Sequence, residues 1–205
     1  MVPSRFLYLV RHGEADDDDD ALTRAGRQQA MAAGERLRDI RFSAIRHSPL
    51  QRAEETAELI ADYQHGVPVG PSGLLGDYLP PVSGQAGLLP SFTRLIDGYS
   101  PDERAEGAEL AAAAIERYAR PSGRDGSELL VTHNFLIGWF VRHALDAPDW
   151  RWLGLNQCHG AITVILYRAG QPPSLVAFND TGHLPPRLRW TGFPPELVPP
   201  HAEPG

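Results

Sequence analysis

The sequence predicts an α/β fold, a three-layer α/β/α sandwich around a largely parallel central sheet. Three observations predict it. Short apolar runs of strand length alternate with longer segments of helical periodicity, the pattern of a sheet covered by crossover helices. Two of those runs, residues 6–10 and 129–131, are continuously apolar, as suits strands buried on both faces. A chain of 205 residues with 42% hydrophobic and 22% charged side chains is long enough to bury one full core. No repeat and no clean boundary interrupts it, so residues 1–205 are read as a single domain.

Each element has its own signal. Residues 6–10 (Phe-Leu-Tyr-Leu-Val) form the first strand and end abruptly in Arg11, His12 and Gly13. Five aspartates, Asp16 to Asp20, follow Ala15 and read as a solvated loop. Thr23 is placed to cap a helix running to about Asp39, with Leu22, Ala25, Ala30, Ala33, Leu37 and Ile40 as its apolar stripe. A strand at 43–47 leads to Ser48-Pro49, which reads as a cap and first turn for a helix carrying Leu50, Ala53, Ala57 and Ile60 inward. Arg52 stands near that helix's start, where a cation opposes the helix dipole unless it reaches a bound anion.

Residues 66–100 are dense in Gly and Pro. They read as a brief strand at 67–69 and a long excursion with at most one short helix, apolar at Leu88-Leu89 and from Phe92 to Ile96. Its notable acid is Asp77. A helix over 101–120 follows, with Gly107 as a weak point. Residues 127–132 repeat the opening, a short apolar strand ending in His133. A helix from Asn134 to about Leu145 offers Phe135, Leu136, Trp139, Phe140 and Leu145 for burial. A helical turn at 150–155 and strands at 161–167 and 175–178 complete the fold, with Gly170-Gln171-Pro172 between the last two. The Pro-rich tail from Pro194 reads as irregular.

Composition bounds the function. A net charge of −7 and a pI near 5.6 argue against nucleic-acid binding, while allowing a small cationic pocket. The single cysteine, Cys158, makes neither a disulfide nor a cysteine-rich metal site. No apolar run has the length of a membrane span or of a signal peptide's core, so the expectation is a cytoplasmic protein without membrane association.

Ligands of open α/β sheets bind at the carboxyl ends of the strands. Arg11 and His12 end one predicted strand, His133 ends another, and Arg52 begins an adjoining helix, so all four are expected on one rim. Two arginines and two imidazoles suit a phosphoryl group. They would repel a divalent cation, and carboxylates at metal-ligand spacing are missing, so neither metal nor cofactor is expected.

These stretches carry a resemblance. Leu9-Val10-Arg11-His12-Gly13-Glu14, Leu22-Thr23-Arg24-Ala25-Gly26-Arg27-Gln28-Gln29-Ala30, the run from Ser48-Pro49 through Arg52 to Ala57, and Val131-Thr132-His133 stand in the order and spacing of the histidine phosphatase superfamily. The chain is similar to it up to about Leu188. Stretches 74–81, 155–163 and 179–186 resemble one branch more closely, that of the mitochondrial Ser/Thr protein phosphatase. The resemblance implies a phosphoglycerate-mutase-like fold and a phosphatase that passes through a phosphohistidine on His12. It implies Arg11, Arg52 and His133 as the groups neutralising the phosphoryl oxygens. The family usually places Glu where Asp77 stands, so Asp77 is the candidate proton donor, with Glu14 as the alternative.

Two other readings compete. A phosphoglycerate mutase of this family carries an Asn-containing loop with a Gly-Trp element after the signature. This chain is shorter there and has Asp16 to Asp20, which would repel a bisphosphoglycerate. A non-catalytic phosphate-binding module is the third reading, weakened by the intact residue set. The acidic loop points to a substrate with basic flanks, although small phosphorylated metabolites stay open beside phosphoproteins. Trp150, Trp152 and Trp190 read as core more readily than as a substrate wall.

Overall fold

The structure, a computed structural model, describes residues 2–16, 18, 20–83, 88 and 90–199. Asp17 and Asp19 of the acidic loop, Leu89 of the apolar pair and the last residues of the tail lie outside the described residues. Six strands form one sheet: β1 (Ser4–Arg11), β2 (Phe42–His47), β3 (Val69–Pro71), β4 (Gly126–Thr132), β5 (Ile162–Arg168) and β6 (Ser174–Asp180). Their order across the sheet is β3-β2-β4-β1-β5-β6. The first four run parallel, β5 is antiparallel to β1, and β6 is antiparallel to β5. The largely parallel sheet is therefore observed, with the one reversed strand, β5, beside β1.

Helices α1 (Arg24–Leu37) and α2 (Gln51–Ala61) cover one face; α4 (Pro101–Tyr118) and α5 (Asn134–Ala144) cover the other. The alternation of β1 divides its side chains between the two. Leu7 and Leu9 enter the core under α4 and α5, while Val10 enters the core under α1 and α2. All three are fully buried, each contributing about 1.5–3 kcal/mol. Ala33 on α1 and Ala53 and Ala57 on α2 are fully buried as well, so both helices can lie close to the sheet.

Thr23 caps α1 as expected, its Oγ1 accepting from the Gly26 N–H at 3.0 Å. Ser100 and Glu103 add a reciprocal capping box at the start of α4. Three expectations are corrected. Helix α2 starts at Gln51 with Leu50 in the cap position, and the Ser48 hydroxyl meets His133 Nε2 while also accepting from the Leu50 N–H at 3.3 Å. Strand β3 lies at Val69–Pro71, two residues later than predicted, and its proline is accommodated because β3 is an edge strand. Leu145 lies one residue past the end of α5 and is 53% exposed, outside the core it was expected to join. The excursion's short helix is α3 (Pro90–Asp97). Of the three tryptophans, Trp152 is core, its indole N–H donating to the Pro81 carbonyl at 2.9 Å, and Trp150 and Trp190 are partly exposed.

Candidate active site

Three segments converge at the carboxyl end of β4. The His12 N–H donates to the Thr132 carbonyl at 3.0 Å and the Ser48 N–H to the Val131 carbonyl at 3.0 Å, extending the parallel ladders past the strand ends. This is why side chains 40 and 81 positions apart from Arg52, namely His12 and His133, both reach it. Two close glycines fix the path of the chain after β1. A Cβ on Gly26 would lie 1.9 Å from the Glu14 carbonyl oxygen, and one on Gly13 would lie 2.5 Å from the Gly26 oxygen, so only glycines let α1 press against this turn. The Gly13 N–H also donates to Thr56 Oγ1 at 3.0 Å, tying the turn to buried Thr56 on α2.

His12 is buried and its tautomer is set. Nδ1 lies 2.8 Å from the Gly13 carbonyl, an acceptor, so Nδ1 carries the proton. Nε2 is left with its lone pair, and Arg52 Nε donates to it at 3.3 Å. Burial first, then the nearby His133 and Arg11, push the His12 pKa well below the ordinary imidazole value, keeping it neutral. His133 is lowered in the same way, by burial and then by Arg52 and Arg11. Its Nε2 meets Ser48 Oγ at 2.8 Å, while Nδ1 faces Arg52 at 3.3 Å and Asp77 at 3.6 Å. The His12 and His133 rings stand 5.0 Å apart.

Arg11 is held by its Nη1, which donates to the Gln157 and Gly192 carbonyls, both at 2.7 Å. Its Nε is buried with no hydrogen-bond partner in the protein, a donor a bound anion could satisfy. Burial pulls its guanidinium down to about 10, against the pull of Asp77. Asp77 follows the turn Gly73–Leu75, which is anchored by the Thr132 hydroxyl donating to the Leu75 carbonyl at 2.7 Å. Its carboxylate accepts from Arg52 Nη2 at 2.7 Å. Although 36% of that side chain is exposed, the surrounding walls raise its pKa, opposed by Arg52 and Arg11.

Arg11, His12, Arg52, Asp77 and His159 line a cavity of about 390 Å³, closed at one side by Ala15, Asp16 and Asp20. Four of the five residues singled out from sequence line it, and the fifth, His133, is buried beside them against Arg52, Asp77 and the His12 ring. Glu14 does not turn the same way. Its carboxylate accepts from the Thr23 hydroxyl at 2.8 Å, at the N-terminus of α1. Among the described residues no group of three or more His, Cys, Asp or Glu side chains could hold a metal ion.

Two side chains at the cavity were not anticipated. His159 stands 5.2 Å from the His12 ring, its pKa driven far down by burial and then by Arg11 and His12. Its signal was positional: β5 runs antiparallel to β1, so the segment entering β5 starts on the rim where β1 ends. Asp20 forms an ion pair with Arg52 Nη1. Its signal was hidden in a run of five identical residues.

Comparison with known proteins agrees with this geometry. Residues 7–76 match the family model of the histidine phosphatase superfamily (branch 1). The mitochondrial serine/threonine-protein phosphatase Pgam5 of Caenorhabditis briggsae is 32% identical over 193 residues, covering 89% of this chain and 65% of that protein. Its namesake from Drosophila grimshawi is 30% identical over 215 residues, covering 93% of this chain and 68% of that protein. Among solved structures, a phosphoglycerate mutase from Plasmodium falciparum superimposes with a TM-score of 0.61 at 25% identity, over 89% of this chain and 95% of that one. The fold is phosphoglycerate-mutase-like, and the chain belongs to the histidine phosphatase superfamily. It spans about two thirds of the length of the curated relatives it matches. Their names also correct the expectation of a cytoplasmic protein, since the matching relatives are mitochondrial ones.

Proposed function

We propose that this chain is a phosphomonoester phosphatase that works through a phosphohistidine on His12. The observation that carries the reading is the unprotonated Nε2 of a buried, neutral His12 set among Arg11, Arg52 and His133. In this reading Nε2 attacks phosphorus in line, the N–P bond forms, and the P–O bond to the leaving group breaks. Arg11, with its unpartnered Nε, and Arg52 hold the non-bridging oxygens. A phosphoryl dianion reverses the balance that keeps His133 neutral, so its Nδ1 takes up a proton and donates to the same group. Asp77 gives its proton to the departing oxygen. In the second half it takes one from water, whose oxygen attacks phosphorus and frees His12. The raised pKa of Asp77 and the engagement of Glu14 with Thr23 both support Asp77 in that role.

The relatives named serine/threonine-protein phosphatases make phosphoserine and phosphothreonine in proteins the first substrates to test, before small phosphorylated metabolites. A mutase reading has the Plasmodium falciparum likeness in its favour. Against it stand Asp16 and Asp20 at the cavity, which would repel a bisphosphoglycerate. The test is hydrolysis of an aryl phosphate by wild type and His12→Ala, with acid quenching to trap protein-bound phosphate. The variant is expected to lose about a thousandfold or more of kcat and to yield no acid-labile phosphate. Turnover that survives the substitution would refute the mechanism, and efficient transfer between phosphoglycerates would establish the mutase.

A further inference from the structure

The contacts of Arg52 are unusual for a residue that is to receive a phosphate. Its guanidinium is engaged on every side: Nε with His12 Nε2 at 3.3 Å, Nη2 with Asp77 at 2.7 Å and His133 Nδ1 at 3.3 Å, and Nη1 with the Asp20 carboxylate. The guanidinium is thus shared between two carboxylates. Asp20 is not there by accident of a loose loop. The bridge between Ala15 and Leu22, the Asp16 N–H bonded to the Ala21 carbonyl at 2.9 Å, and the Asp20 N–H bonded to the Asp16 carbonyl at 3.2 Å fold the loop back on itself. Asp20 takes the left-handed backbone conformation, φ 61°, which Asp tolerates better than most residues.

We propose that Asp20 is a resident anion on Arg52, and that the substrates which displace it productively are phosphomonoesters carrying a cationic group beside the phosphate, namely phosphoseryl or phosphothreonyl peptides with basic flanks. This rests on the phosphatase reading above and names the substrate class of that site. A phosphoryl dianion can use the Arg52 fork only if a carboxylate leaves it. Asp77 must stay near the leaving oxygen to donate its proton, so Asp20 is the one that moves. Because the loop is pinned at both ends, the displaced carboxylate stays at the mouth of the cavity. There it stands near a dianion and beside Asp16, which lines the same cavity. The cations lining the cavity are Arg11 and Arg52, and Arg11 Nη1 is already committed to two carbonyls. A neutral or acidic substrate leaves Asp20 unpaired beside like charge. A substrate with Arg or Lys next to the phosphorylated residue supplies the missing partner, and the ion pair is exchanged rather than lost.

Displacement and selectivity are separately measurable. Calorimetric titration of inorganic phosphate into wild type and Asp20→Asn reads displacement without turnover. The variant is expected to bind phosphate about two- to fivefold more tightly, the scale of a partly exposed ion pair. An unchanged Kd would overturn the resident anion. Selectivity is read as kcat/KM on phosphoserine peptides of equal length flanked by Arg or by Glu. Wild type is expected to favour the Arg-flanked peptide by about tenfold or more, and Asp20→Asn by no more than about twofold. The same preference in both proteins would overturn the substrate class. If wild type hydrolyses neither peptide nor an aryl phosphate, the phosphatase reading fails by itself. The Kd values of the two peptides, measured in both proteins, then decide the inference by the same ratios.

Discussion

His12 and Asp77 are tuned in opposite directions, and in the proposed mechanism the pair sets the pH range of the chemistry. A nucleophilic imidazole must be unprotonated, and burial among cations lowers the His12 pKa well below its ordinary value. A proton donor must be protonated, and the same pocket raises Asp77. For kcat/KM on an alkyl phosphomonoester, the acid side is therefore expected to stay flat below the ordinary imidazole pKa, since His12 remains neutral there. The alkaline side is expected to fall tenfold per pH unit once Asp77 ionises. Asp77→Asn should erase that alkaline limb and cost about 10²–10⁴ in rate on the alkyl ester, but far less on an aryl ester whose leaving group needs no proton. A pH–rate profile of both proteins on both esters checks this, and an alkaline limb that persists in the variant would assign the proton to another group. Arg11, His12, Arg52 and His133 could be read from sequence because each ends, begins or follows an element on one rim, and Asp77 through the family resemblance. His159 and Asp20 could not. His159 depends on which strand lies beside β1, and Asp20 is indistinguishable from the other aspartates of its run until the backbone folds it inward.

At the level of elements, Gly107 shows why a helix-weakening residue can be required. It lies buried within α4, where Ala would ordinarily gain about 1 kcal/mol. A Cβ at this position would lie 2.3 Å from the carbonyl oxygen of Leu79, on the loop that carries Asp77. Helix α4 therefore buttresses the proton-donor loop by backbone-to-backbone contact. Gly107→Ala is expected to destabilise the protein by about 1–3 kcal/mol despite its better propensity, and to lower kcat more on alkyl than on aryl esters because Asp77 is displaced. Denaturant titration and the two-ester comparison read the two effects separately. The long, periodic helices and the buried apolar strands were evident from pattern alone. What pattern could not supply was long-range contact: Gly107 reads as a flaw until Leu79 is packed against it, and nothing local to Ser48 shows that its hydroxyl also meets His133.

Over the whole molecule, the cost of this site shows in acid. His12, His133, His143, His159 and His183 have lowered pKa values in the folded state, so below the ordinary imidazole pKa the unfolded chain binds protons that the native one refuses. Asp77, raised in the fold, works the other way. Stability grows with pH wherever the unfolded state binds more protons, so it is expected to fall as pH drops below about 6.5, by about 1.4 kcal/mol per unit for each net proton. Urea titrations at pH 7 and pH 5.5 measure this, and replacing His159 by Gln should shallow the slope. The α/β layering and the common rim were readable at this scale, whereas the reversed β5 that brings a third imidazole to the pocket was not. A different consequence follows from the two carbonyls that hold Arg11. Arg11 is among the first dozen residues of this sequence, yet its Nη1 partners belong to Gln157 and Gly192, 146 and 181 positions later. On a ribosome β1 emerges well before them, and these two bonds to Arg11 cannot form until the segment around Gly192 has been synthesised and has docked. An unfinished chain therefore carries His12 without a completed anion pocket, and assembly of the pocket is tied to completion of the fold.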